Sequence, residues 1–267
     1  MDYHIHTRYS SDGEMTIEEA CKRAIKIGLK EIAITDHIDI DWPNPDISFD
    51  IANIDEYIQE IHDNKERFKS QLIVKVGIEI GLQPHVLEES AKIIRSHPFD
   101  FVIGSIHIIK GMDPYMGDYF YGKTKSESYE IYYRETIDLI KEFDDFDVLG
   151  HLGYIKRYFP QPYSKEDEYL HLDLVDEILE ILIQKNKGIE VNTSGYKHSS
   201  ACPMPSLNTI ARYKQLGGSI ITVGSDAHSV DSIGYGIGRG TNAIKNLGFD
   251  SVTSFTSRKP EFRSIGD

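Results

Sequence analysis

Short apolar runs of β type alternate along this chain with longer segments in which apolar side chains recur at helical spacing. The runs suit strands and the longer segments amphipathic helices, because side chains repeat every ~2 residues along a strand and every ~3.6 along a helix. Strands are predicted at Tyr3–His6, Glu31–Thr35, Ile73–Glu79, Phe101–His107, Asp147–Gly150, Gly188–Asn192 and Ser219–Gly224. Helices are predicted to begin near Thr16, Ile51, Pro84, Ser126, Lys165, Ser206 and Asp231. Such alternation predicts parallel strands joined by crossover helices, an α/β fold.

Local signals agree with the pattern. Thr16 and Glu19 form a capping box ahead of Ile17, Ala20, Cys21, Ala24 and Ile25 on one face, and Gly28 ends that helix. In the fifth helix Leu174, Val175, Ile178, Leu179 and Leu182 repeat the spacing, with Lys185 and Lys187 near its C-terminus, where positive charge is favourable. Three connections, Ile38–Asp50, Gly111–Lys123 and Tyr196–Pro205, are longer than a compact barrel needs, which is usual for functional loops. The polar tail after Gly248 is predicted to pack as a short strand or coil, and no linker or repeat divides residues 1–267, which read as one domain.

Length narrows this to an architecture: 267 residues is within the usual size of a single α/β barrel. The net charge of −14 disfavours a groove that tracks nucleic acid by neutralising phosphates. Two cysteines, Cys21 and Cys202, in unlike contexts fit a reducing compartment rather than a disulfide framework. Neither a secretory leader nor an apolar run long enough for a membrane span is visible, so a soluble cytoplasmic protein is expected.

Candidate chemistry then falls at one end of the strands. His4 and His6 close the first strand, Asp36 and His37 the second, Glu79 the third, His107 the fourth, His151 the fifth, and Asp226 and His228 the seventh, with Asp12 in the loop after the first. The C-terminal rim is where parallel barrels build active sites. The remaining histidines, His62, His85, His97, His171 and His198, lie on predicted helices or loops away from it. A mixture of imidazole and carboxylate suits zinc, iron or manganese, whereas oxygen alone would suit magnesium or calcium. The set is too large for one ion and sufficient for two or three, with Glu79 as the natural bridge.

In chain order, Asp2-Tyr3-His4-Ile5-His6-Thr7, Ser11-Asp12-Gly13, Thr35-Asp36-His37, Gly77-Ile78-Glu79, Gly104-Ser105-Ile106-His107, Gly150-His151-Leu152 and Ser225-Asp226-Ala227-His228 resemble the successive motifs of the polymerase and histidinol phosphatase (PHP) superfamily. Gly104 to Gly111, Gly150-His151-Leu152 with Arg157, and Asn192-Thr193-Ser194-Gly195 are similar to its monofunctional histidinol-phosphatase branch. The resemblance implies a distorted (β/α)7 TIM-like barrel with a trinuclear metal centre at the C-terminal ends of the strands. It further implies one ion on His4, His6, Glu79 and Asp226, a second on Glu79, His107 and His151, and a third on Asp12, His37 and His228. Some histidinol phosphatases carry histidine at the position of Asp12.

The implied substrate is a small phosphate monoester, L-histidinol phosphate, hydrolysed to L-histidinol and phosphate in histidine biosynthesis. Three divalent ions on three carboxylates leave a centre of about +3 that attracts such an ester despite an acidic chain. Arg157 is the first candidate for a phosphate clamp, Lys197 the second and Arg239 the third. Asp226 or a nearby histidine such as His228 is the candidate donor of a proton to the leaving alkoxide. An amine and an imidazole on the leaving group would favour carboxylates and aromatics at the mouth, where Asp39, Asp41, Trp42, Asp113 and Tyr115 are placed by sequence. The alternatives are another phosphoesterase of the superfamily, acting on nucleotide diesters or on tyrosine phosphate, and a non-catalytic metal-binding protein.

Overall fold

A computed structural model describes residues 1–161, 164–198 and 201–266. Six strands form one parallel sheet: β1 (Glu31–Ile34), β3 (Ile73–Gly81), β4 (Phe101–Ser105), β5 (Val148–Leu149), β6 (Gly188–Asn192) and β7 (Ile221–Gly224), hydrogen-bonded in that order. A short β2 (His37–Ile38) resumes the line of β1 and pairs His37 with Glu79. Strand side chains are buried almost throughout, as a sheet covered on both faces requires.

The predicted first strand, Tyr3–His6, forms no continuous ladder, yet it occupies the gap between the two sheet edges. Asp2 bridges to Ile32 and Ile5 to Ala227, both in parallel sense. Ala33 N donates to Asp2 O at 3.0 Å, while Tyr3 N donates to Val223 O at 3.0 Å. The sheet therefore closes through this segment into a distorted seven-membered barrel. Helices α1 (Ile17–Lys26), α2 (Ile54–Phe68), α3 (Leu87–Ser96), α4 (Lys125–Glu142), α5 (Leu172–Gln184), α6 (Leu207–Gln215) and α7 (Ile237–Asn246) complete the crossovers. The Thr16–Glu19 capping box is present at α1, and Thr124 with Glu127 forms another one residue before α4. Residues predicted to open the fifth and seventh helices instead form short 3-10 turns, Lys165–Tyr169 and Val230–Ser232, before α5 and α7.

The tail is more ordered than its sequence suggests. β8 (Ser251–Thr256) and β9 (Lys259–Ser264) form an antiparallel hairpin rather than a single short strand or coil. Its turn residues Ser257 and Arg258 both have positive φ, 48° and 66°, the geometry of a two-residue turn that follows the twist of the strands. Anchors offset the strain: Ser257 N donates to Asp100 Oδ1 at 3.0 Å and Arg258 Nε to Asp147 Oδ2 at 2.6 Å. Phe255 then packs against Tyr3, Ala33, Phe101, Ile103 and Val148 and seals the N-terminal end of the barrel. Among the described residues no helix is long and apolar enough to cross a membrane.

Phe255 is 2% exposed, so Phe255→Ala leaves a void that the closed barrel end cannot collapse into. The expected loss is ~3–5 kcal/mol of unfolding free energy in a urea titration, with metal content unchanged because the opposite rim is untouched.

Candidate metal centre

Glu79, near the end of β3 and 1% exposed, stands at the middle of the opposite rim. Its Oε2 lies 3.1 Å from His4 Nε2, 3.4 Å from His6 Nε2 and 3.1 Å from His37 Nδ1. Its Oε1 lies 3.2 Å from His107 Nε2 and 2.8 Å from His151 Nε2, and accepts from Ser105 Oγ at 2.6 Å. Asp226 Oδ1 faces His4 Nε2 at 3.6 Å, His6 Nε2 at 3.5 Å and His228 Nδ1 at 3.7 Å. Asp12 Oδ2 lies 3.2 Å from His228 Nε2 and 3.9 Å from His37 Nε2. All the rim residues singled out as ligands from sequence thus meet in space. The five control histidines do not join them; His85, for example, contacts Asp41 Oδ2 at 2.8 Å and His97 Nδ1 contacts Ile93 O at 2.8 Å.

A divalent cation fits this donor set for a specific reason. His4 Nε2, His6 Nε2, His37 Nδ1 and Glu79 Oε2 are buried atoms without a hydrogen-bond partner, a costly arrangement that a shared cation relieves. Donor atoms of His4, His6 and Asp226 come within coordinating reach of one another, as do those of Glu79, His107 and His151 and those of His6, His37 and His228. Imidazole with carboxylate is a zinc, iron or manganese set.

Protonation is polarised across the cluster. Burial pushes the Glu79 carboxyl up, but His4, His107 and His37 outweigh it and hold it well below the usual range. Burial opposes ionisation of Asp226 too, and the Arg157 guanidinium with His4 reverses it. His6 is driven well below the ordinary imidazole value by burial and by its histidine neighbours, and burial also lowers His151, so both rings are neutral and ready to ligate. At His4 and His107 burial is overcome by carboxylates, Glu190 and Glu79 for the first and Asp39 and Glu79 for the second, which raise both rings well above the ordinary value.

Supporting residues set the loops. Asp36 accepts from Thr7 N at 2.6 Å, Thr7 Oγ1 at 2.9 Å, Ser10 N at 3.0 Å and Ser10 Oγ at 2.7 Å, and so pins the turn that leads to Asp12. Asp2 accepts from Ser225 N at 2.8 Å and Gly234 N at 2.9 Å, tying the first segment to the loop that carries Asp226.

A cavity of about 710 Å3 opens over the cluster. Asp12, Asp226, His228 and Arg157 line its inner part, with Trp42, Phe49, Asp113, Tyr115, Asp118 and Tyr158 also in the wall. Arg157 sits on a 3-10 turn (Tyr154–Arg157); its Nη2 donates to Asp226 Oδ2 and to Ser194 Oγ at 2.7 Å.

Lys197 and Arg239 lie outside the cavity lining, with Lys197 still within electrostatic reach of Asp226 and Arg157. Lys197 Nζ donates to Ser232 Oγ at 3.2 Å and lies 4.8 Å from the Tyr235 ring centroid. Arg239 stacks 3.9 Å over Tyr196 and donates to Ala201 O at 3.0 Å. Each of the two cations has found a ring face. Within the Tyr196–Pro205 loop, Ser199 and Ser200 lie outside the described residues. Asp41, expected at the mouth, turns to His85 instead. Asp39, also expected there, is buried between His107 Nδ1 at 2.8 Å and His37 Nδ1 at 3.1 Å.

Sequence reasoning missed Glu190 altogether. It is 1% exposed on β6, with Oε1 2.6 Å from His4 Nδ1 and Oε2 accepting from His151 N at 2.8 Å. The signal was an acidic residue inside a strand with no exposed face, Gly188-Ile189-Glu190-Val191-Asn192, where charge is buried only when partnered.

Because metal must displace the proton that carboxylates retain on His4 and His107, zinc uptake by the metal-free chain is expected to release protons at neutral pH. Affinity falls as pH drops, since protons at higher concentration compete with the ion for the raised imidazoles. Calorimetric titrations in two buffers of different ionisation enthalpy measure the release; a heat independent of buffer would refute it.

Comparison with known proteins places this geometry. The PHP domain matches residues 2–194. The histidinol-phosphatase of Lactococcus lactis subsp. lactis is 33% identical over 260 residues, 97% of this chain and 95% of the relative. A probable histidinol-phosphatase of Clostridium acetobutylicum is 35% identical over 249 residues, covering 91% of each. The crystal structure of a Lactococcus lactis histidinol phosphate phosphatase, complexed with zinc, L-histidinol and phosphate, superposes with a TM-score of 0.89 at 31% identity, covering 97% of this chain and 98% of that one. The barrel that carries this rim is thus shared with a relative that binds zinc, L-histidinol and phosphate, and the chain belongs to the PHP family, in its histidinol-phosphatase branch.

Proposed function

We propose that this protein is a metal-dependent phosphomonoesterase that hydrolyses L-histidinol phosphate to L-histidinol and phosphate. The observation that carries the reading is Glu79, ringed by five imidazoles and lining a cavity that also presents Arg157. The related Lactococcus lactis structure, which holds zinc, L-histidinol and phosphate, supports both the metal class and the ester.

In this reading two or three divalent transition-metal ions, zinc first and iron or manganese otherwise, occupy the rim. His4, His6, Glu79 and Asp226 hold one, Glu79, His107 and His151 another, and Asp12, His37 and His228 a third. When bound, such ions lower the pKa of water towards ~7 and neutralise the charge of the phosphoryl oxygens.

The chain's own groups do the rest. Arg157 offers guanidinium N–H donors to a phosphoryl oxygen, a fork that a lysine does not reproduce. Asp226 or His228, both lining the cavity, is the candidate donor of a proton to the leaving alkoxide, while Arg157 and His4 hold the Asp226 carboxyl well below its usual range. Displacement is in line at phosphorus and needs no covalent enzyme intermediate.

A panel of phosphomonoesters and phosphodiesters tests the substrate. Preference for histidinol phosphate, abolished by a chelator and restored by zinc, is the expected result; turnover of diesters alone overturns the assignment. Arg157→Ala is expected to lower kcat/KM by about 10- to 150-fold, the worth of a hydrogen bond to a charged group, and an unchanged value would return Arg157 to a structural role with Asp226.

A further inference from the structure

Two buried carboxylates outside the ligand set each grip the far side of one imidazole. Glu190 Oε1 lies 2.6 Å from His4 Nδ1, and Asp39 Oδ1 lies 2.8 Å from His107 Nδ1. An ionised carboxylate can only accept, so Nδ1 carries the proton in each ring. The opposite nitrogen, Nε2, then faces Glu79, at 3.1 Å for His4 and 3.2 Å for His107. Glu190 has its other oxygen committed as well, since Oε2 accepts from His151 N at 2.8 Å and from Asn192 Nδ2 at 3.2 Å.

Glycines clear the space for both contacts. A Cβ on Gly224 would lie 2.4 Å from Glu190 Oε1 and 2.4 Å from His4 Cβ. A Cβ on Gly81 would lie 1.8 Å from Asp39 Oδ1. Neither glycine has a left-handed backbone, so room, and not conformational freedom, is what the missing side chain supplies.

We infer that Glu190 and Asp39 are positioning residues that fix the tautomer and ring direction of His4 and His107 and so present Nε2 to the divalent ions, with Gly224 and Gly81 as the clearance that lets them reach. The inference rests on the metal reading of the rim, not on the identity of the ester. A carboxylate behind a ligating imidazole raises its basicity and holds its plane, and losing such a partner typically costs about 10- to 100-fold in metal affinity.

The test is zinc affinity by chelator competition, on metal-stripped and reloaded protein, for wild type, Glu190→Gln and Glu190→Leu, with Asp39→Asn and Asp39→Leu as the parallel arm. Gln and Asn keep an acceptor oxygen without the charge, whereas Leu, of similar bulk, keeps neither. Stepwise weakening is expected, with the amide variants between wild type and the leucine variants and cooperative melting of the stripped chain retained. Ring 15N shifts of zinc-loaded wild type should report protonated Nδ1 and zinc-bound Nε2 at His4 and His107. Affinities within about threefold of wild type in every variant would overturn the inference, as would equal loss in the amide and leucine variants together with lowered melting, which marks a packing role. Wild type that binds zinc but spares histidinol phosphate would refute the substrate assignment and leave this inference standing.

Discussion

A single buried carboxylate is what the rim is built against. Glu79 is nearly inaccessible to water, and an isolated charge there would cost several kcal/mol. Five surrounding ring nitrogens make it tolerable only by supplying positive charge. Protons can supply part of it, since the neighbouring carboxylates raise His4 and His107 above the ordinary imidazole value. Ring nitrogens left without a hydrogen-bond partner show that protons do it imperfectly. A set of donors that is unsatisfied alone and matched by cations is one in which metal affinity and local order are the same free energy.

The rest of the fold holds those rings at fixed distances. Strands of a parallel barrel end on one rim, so a residue placed late in a strand is aimed there by the backbone itself. Around that scaffold, Asp36 fastens the turn after His6 and Asp2 fastens the loop carrying Asp226. The hairpin seals the other end with Phe255, which leaves chemistry and packing at opposite poles. Arg157 links the ions to the open cavity: it keeps Asp226 ionised and presents donors beside Ser194.

Much of this was legible from sequence, and the failures have physical causes. The convergence of His4, His6, Asp12, His37, Glu79, His107, His151, Asp226 and His228 follows from counting strands, because strand position fixes direction. Lys197 and Arg239 sit on a 3-10 turn and in a helix, and no spacing rule tells where a long, flexible cationic side chain will reach. Glu190 was hidden by the hydrophobic run around it, which was read as a strand without asking what its one acid would touch. The terminal hairpin was hidden by Pro260 and by a turn, Ser257-Arg258, that lacks the usual asparagine or glycine and relies on Asp100 and Asp147 instead.

Closure through Asp2–His6 carries a consequence for how the molecule comes into being. That stretch is made well before β7, one of its flanks, and Ala227 follows later still. His4 and His6 must therefore wait without those neighbours until β7 and the loop after it have been made. The donor set at the rim is consequently assembled late, once β7 completes the seam that joins the two edges of the sheet.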